Sequence, residues 1–194
     1  MNVILCLLLA VPAAIAQSVL PCGETKTIQM HDFAYQCDNN GHGIVTLYNV
    51  QGKFTRVDKA YRDGREYVEE DFFSGARGPG EVEENFWVYT KPKMDSLVND
   101  AFGPWKLLIG DDEFVITLII DAETGDVSEV IYEFSDKSQY IKMAVFAYRE
   151  LELSIKENLR FTLTDHGKQL NYAMLTWVYG IKGEGRNKRG DADL

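Results

Sequence analysis

Acidic side chains are the residues here that could do chemistry. They cluster at Glu69-Glu70-Asp71, Glu83-Glu84 and Asp111-Asp112-Glu113. Paired carboxylates hydrolyse glycosidic bonds when two face each other across a cleft and one has a raised pKa. Adjacency along the chain supplies neither condition, and solvated acidic turns explain such runs better. A secreted hydrolase of glycans or peptides therefore requires the fold to bring distant carboxylates together. The three histidines, His31, His42 and His166, stand at no metal-ligand spacing from one another. His42 in Asn39-Asn-Gly-His-Gly43 and His166 in Asp165-His-Gly167 read as solvated loop residues. Asp121 to Asp126 has the composition of a calcium loop, but its glycine falls at the fifth place and Tyr132 stands where a bidentate carboxylate is needed. A hairpin turn fits it better. Gly75-Ala-Arg-Gly-Pro-Gly80 lacks the Lys-Ser/Thr of a phosphate loop. No nucleophile elbow or zincin motif occurs. The sequence thus assigns no catalytic, metal-binding or cofactor-binding residue.

Charge and cysteines narrow the setting. The net charge of −10 disfavours nucleic acid and anionic membrane surfaces as partners. Val3 to Ala16 is apolar and uncharged and ends in Ala14-Ile-Ala16, so residues 1–16 read as a secretory signal peptide cut before Gln17. This predicts export to the periplasm or cell surface, with no membrane association once the leader is gone. Removing those sixteen residues from 194 leaves 178, enough to bury a real core. Cys6 leaves with the leader. Cys22 and Cys37 remain, an even pair suited to a disulfide that would contribute about 3 kcal/mol through loop closure; two separate buried thiols are the alternative.

Among the elements, Phe114 to Ile120 is a dense β-branched and apolar run, hence a strand. Asp121 to Asp126 then supplies a hairpin with Gly125 at the turn. From Val127 to Phe134 the pattern alternates, with Val130, Tyr132 and Phe134 on one face and Glu129 and Glu133 on the other. Ser135 and Asp136 can cap a helix in which Ile141, Ala144, Val145, Tyr148, Leu151, Ile155 and Leu159 form one stripe, leaving Lys142, Arg149, Glu152 and Lys156 outside it. Asn171 to Ile181 resumes as a strand with Ala173, Leu175, Trp177, Tyr179 and Ile181 on one face. A helix with such a stripe must lie across the sheet.

Upstream, Ile44 to Val50, Lys53 to Tyr61 and Arg65 to Phe73 read as strands joined by turns at Gln51-Gly52 and Asp63-Gly64. Ser74 to Gly80 and the acidic residues after it read as a linker. Phe86 to Tyr89 reads as a short strand closed by Pro92, and Lys93 to Trp105 as a helix with Met94, Leu97, Val98 and Phe102 on one side. Trp87 and Tyr89 are the aromatics set aside as a binding surface; Trp105 and Trp177 read as packing residues. The predicted organisation is a β-hairpin region over 17–80, an α+β domain over 81–182 and a disordered tail over 183–194. Arg189-Gly-Asp191 in that tail matches the tripeptide read by integrins, which is a chance match in a charged end.

Two resemblances attach to these residues. The tyrosine, glycine and Asp63-Gly-Arg65 spacing resembles MORN-type hairpin repeats of bacterial proteins. Residues 91–182, carried by Phe114 to Asp121, Gly125 to Val130, Leu151 to Phe161 and Tyr172 to Val178, resemble the carboxy-terminal domain of the TonB energy transducers and its secreted relatives. That likeness implies an antiparallel sheet packed by one main amphipathic helix in the order β-β-α-β. The chain lacks the proline-rich spacer of the transducers, and a proline after Phe161, so a stand-alone relative is implied. A PepSY-like inhibitor or carrier module would show a similar pattern. The functional expectation is a non-catalytic exported protein that binds a protein or peptide, by strand addition to an open sheet edge; the hydrolase is the alternative.

Overall fold

A computed structural model describes residues 25–55, 57–67, 80–83, 86–105 and 112–179, with the side chains of 86–88 and 105 outside that description. The expected signal peptide, most of the expected linker and the tail lie outside the described residues. In chain order the strands are β1 (Lys26–Gln29), β2 (Ala34–Asn39) and β3 (Ile44–Asn49). Helix α1 (Phe86–Phe102) follows, then β4 (Phe114–Asp121), β5 (Val127–Ser135), helix α2 (Val145–Asn158) and β6 (Tyr172–Tyr179). All six strands form one antiparallel sheet in the order β1-β2-β3-β5-β4-β6. The protein is therefore an α+β fold with two helices on a six-stranded sheet. Strands from before and after residue 80 share that sheet, because β3 pairs with β5 from Ile44 opposite Ser135 to Tyr48 opposite Ile131.

The β4–β5 hairpin turns as its residues require. Gly125 takes φ 76°, and a Cβ there would stand 2.1 Å from the Phe161 carbonyl oxygen. The positive φ favours glycine, and the close approach leaves no room for a Cβ. Phe114, Ile116, Leu118 and Ile120 share a face with Tyr132, Phe134, Ala173, Leu175 and Trp177, and both helices cover it. Ring packing is dense here. Phe114 stacks on Tyr132 (5.6 Å, 12°) and Tyr140 (4.5 Å, 16°), and Phe102 meets its edge at 5.3 Å. Burial of the Tyr132 and Tyr148 phenols is tolerated because each finds a carbonyl acceptor. The Tyr132 hydroxyl donates to the Tyr148 carbonyl at 2.9 Å, and the Tyr148 hydroxyl to the Tyr140 carbonyl at 2.8 Å.

Several expected boundaries move. Phe86 to Tyr89 is the start of α1 rather than a strand, and Pro92 lies inside that helix. Inside a helix a proline loses its N–H bond and its ring crowds the carbonyl four residues back, a cost of about 3 kcal/mol. Met94, Val98 and Phe102 are buried against the sheet, so packing outweighs the local β preference. Ser135 and Asp136 do not cap α2. The Ser135 hydroxyl accepts from the Lys137 amide, and a 3-10 turn over Gln139–Lys142 intervenes before α2 starts at Val145 behind Ala144. The stripe itself holds, with Val145, Tyr148, Leu151, Ile155 and Leu159 buried, but Glu152 joins it on the inside. Lys53 to Tyr61 is not a strand. Phe54 packs on Tyr172 and Ile119 on the sheet's other face, and among the described residues of this segment only isolated bridges at Ala60 and Tyr61 are formed. The turn at Asp63-Gly64 is present, with Gly64 at φ 88° and its amide bonded to the Tyr61 carbonyl. Beyond Tyr67, the strand expected to reach Phe73 lies outside the described residues.

Candidate functional site

The two aromatics singled out in the sequence are placed by α1. The side chain of Trp87 is outside the described residues. Tyr89 is 77% exposed and lines an open recess of roughly 210 Å³ with Glu83, Thr90, Arg160 and Thr162 among its walls. Backbone pairing builds the floor: the Glu83 amide bonds the Thr162 carbonyl at 3.0 Å and the Phe161 amide bonds the Gly125 carbonyl at 2.8 Å. The cation in this recess is committed. Arg160 donates to the Thr124 carbonyl at 2.9 and 3.1 Å and lies 3.3 Å from Asp126. The recess is thus a shallow polar hollow under one exposed tyrosine.

The outer margin of the sheet is more distinctive. Among the described residues, β6 pairs with β4 on one side only. Alternate residues of an antiparallel strand direct both backbone groups to the same side. Met174 faces outward, because its amide donates to the Glu81 carboxylate at 2.8 Å. Thr176 and Val178, two and four residues on, share that direction. At the Met174 end the margin is closed. Glu81 is buried, is ion-paired with Lys59 and accepts from the Tyr67 hydroxyl at 3.4 Å. Its backbone carbonyl accepts from the Thr164 amide and stands where a Cβ on Gly167 would clash at 2.1 Å. Asn171 likewise receives the Ala60 and Tyr172 amides at 3.1 and 2.9 Å. Past Met174, no strand among the described residues pairs with this margin.

Buried carboxylates were not foreseen in the sequence. Glu152 has no exposed surface. Tyr35 donates to it, as do Arg149 at 2.9 Å and Lys156, with the Asn49 amide at 3.5 Å from both oxygens. Burial resists its ionisation, but the Lys156, Tyr35 and Arg149 donors outweigh that and hold its pKa below the usual carboxylate range. Burial, reinforced by the Glu152 anion, pushes the Tyr35 phenol far up. The sequence signal was Arg149-x-x-Glu152-x-x-x-Lys156, whose i, i+3 and i, i+4 spacings gather both cations on one acid. Glu129, expected to face outward, is also buried; it accepts from the Phe54 amide and, at 2.7 Å, the Thr55 hydroxyl. Glu81, Glu129 and Glu152 each tie a neighbouring segment to the sheet. Their oxygens are taken up by protein donors, which suits structure rather than proton transfer.

The other sequence candidates are scattered. Glu69 to Asp71, Glu84 and Asp111 lie outside the described residues; Glu83 and Glu113 are exposed. His31 and His42 are exposed, and His166 rests edge-on against Tyr61 at 5.9 Å. No group of three metal-ligating side chains occurs among the described residues. Cys37 is buried and disulfide-bonded; Cys22 lies outside the described residues. No described helix is long and apolar enough to cross a membrane.

Fold and side chains together define an α+β domain whose buried acids are structural ties and whose last strand forms a margin of the sheet. The chain belongs to the DUF5043 family, a domain of unknown function whose family model matches residues 20–177. It is similar to a DUF5043 family protein from Bacteroides uniformis ATCC 8492 known from a crystal structure. The two share 32% identity and a TM-score of 0.71 over 87% of this chain and 92% of that one. No protein of curated function matches the chain.

Proposed function

We propose that this chain is a non-catalytic exported protein of the periplasm or cell surface that binds a protein partner by adding an extended peptide strand to the outer margin of β6. One observation carries the reading: the outward-facing groups of Thr176 and Val178 meet no strand among the described residues, while the same margin is plugged at Met174 by Glu81. Main-chain hydrogen bonds to such a margin supply affinity, and side chains on alternate positions supply specificity. The apolar, uncharged segment 1–16 ending in Ala14-Ile-Ala16 supports export, and Cys22 is the partner assigned to Cys37 in that compartment. The order β4, β5, α2, β6 supports kinship with the carboxy-terminal domain of the TonB transducers as a stand-alone relative.

The test is a pulldown from the envelope fraction, followed by amide-shift mapping of the captured partner's extended segments on labelled protein. Shifts should run along Leu175 to Tyr179. Val178→Pro removes the outward N–H and should abolish binding. Binding unchanged in that variant, or shifts confined to loops, overturns the reading.

A further inference from the structure

At the opposite end of the hairpin from Gly125, the start of β4 and the end of β5 enclose a second recess of roughly 400 Å³. Asp112, Glu113 and Glu133 bring three carboxylates to its wall, and Ile44 and Val115 give it apolar sides. Ile44 is 40% exposed. Among the described residues, no lysine, arginine or histidine is ion-paired with any of these three acids. Lys142, on the adjoining turn, is bonded to the Gln139 side chain at 2.8 Å. One oxygen of Asp112 accepts from the Gln139 amide at 2.8 Å, which fixes the carboxylate in place.

A second, independent feature points into the same recess. Ser138 is only 3% exposed and lines it, yet its hydroxyl has no hydrogen-bond partner among the described residues. A buried hydroxyl without a partner costs on the order of 1–3 kcal/mol, and a ligand donor reaching the recess would remove that cost. Three carboxylates with no cation partner among the described residues, an unsatisfied hydroxyl and short apolar walls match one chemistry: an ammonium head on a methylene stem. The acids and the hydroxyl accept from the ammonium, and Ile44 and Val115 pack on the stem. We propose that this recess is a subsite for a lysine side chain of a partner protein. It is separate from the β6 margin and does not depend on strand addition there.

Amide-shift titration of the full chain with a blocked Gly-Lys-Gly tripeptide tests this, beside the same peptide acetylated on the lysine Nζ and beside calcium chloride. Saturable shifts at Val115, Glu133 and Ser138 are expected with the free amine and not with the acetylated one. Glu113→Gln with Glu133→Gln should weaken binding by at least about tenfold, and Ser138→Ala by about threefold, each worth up to one charge-assisted contact. Added salt should weaken binding as well. Three results would overturn the proposal: equal shifts from both peptides, no shifts at these residues at millimolar peptide, or saturable calcium binding with no response to the amine.

Discussion

At Glu152 a change of one atom should be costly. Glu152→Gln leaves Arg149 and Lys156 facing a neutral amide beside the Tyr35 phenol, and about 3 kcal/mol of unfolding free energy should be lost. Tyr35→Phe keeps both ion pairs and should cost about 1 kcal/mol. Urea midpoints of the three proteins measure both. The pH dependence follows from the lowered carboxyl pKa. A group whose folded pKa is depressed adds stability that is present above its ordinary value of 4.5 and is lost as pH falls through the folded value. The wild-type midpoint should therefore drop more steeply than that of Glu152→Gln as pH is lowered from neutrality through this range; parallel curves would refute it. Most of the buried stripe of α2 was readable from spacing, but Glu152 was not. A glutamate beside two cations has the same pattern on a solvated face, and only the phenol arriving from β2 decides which side it takes.

Among the elements, the turns make the sharpest contrast. Gly125 and Gly64 both have positive φ, but only Gly125 has a carbonyl where a Cβ would go; nothing lies within 4 Å of the corresponding point at Gly64. Gly64→Ala should cost about 1 kcal/mol from backbone strain alone. Gly125→Ala should cost several-fold more, about 3 kcal/mol or above, because Phe161 must also move. Thermal unfolding of the two variants separates them, and equal losses would mean that the close approach is relieved elsewhere. Both turns were evident in the residue types. The start of α1 was not, because Phe86-Trp-Val-Tyr89 has strand-like composition and Pro92 reads as a stop. Burial of Met94, Val98 and Phe102 against the sheet settles that segment, and such packing leaves no local trace. The segment after Gly52 misled in the opposite sense. Glu129 bonds the Phe54 amide and the Thr55 hydroxyl, so a side chain does there what a neighbouring strand would otherwise do.

Over the whole molecule, the pairing of β3 with β5 puts Tyr35, Cys37, Val45 and Leu47 in the same core as Tyr132, Leu151 and Trp177. Unfolding should accordingly be a single cooperative transition, with far-ultraviolet circular dichroism and tryptophan fluorescence coincident in urea. Two resolved transitions would show that the amino-terminal strands melt alone. This union was hidden in the sequence because β3 and β5 are separated by about eighty residues, and pairing across such a distance depends on the hydrophobic faces of both. Strands β3, β4, β5 and β6 and the α+β class were readable; β1, β2 and the way the strands join were not.

Glu81 bears on how this protein behaves in a crowd. A bare β ribbon invites copies of itself to stack rung upon rung, and fibres begin that way. By seating an anion on the Met174 rung, beside Lys59, the molecule shortens the stretch that a sibling could zip onto. Glu81→Ala should lengthen that stretch and raise light scattering over days at high concentration. The carboxylate would then be what keeps the margin from polymerising.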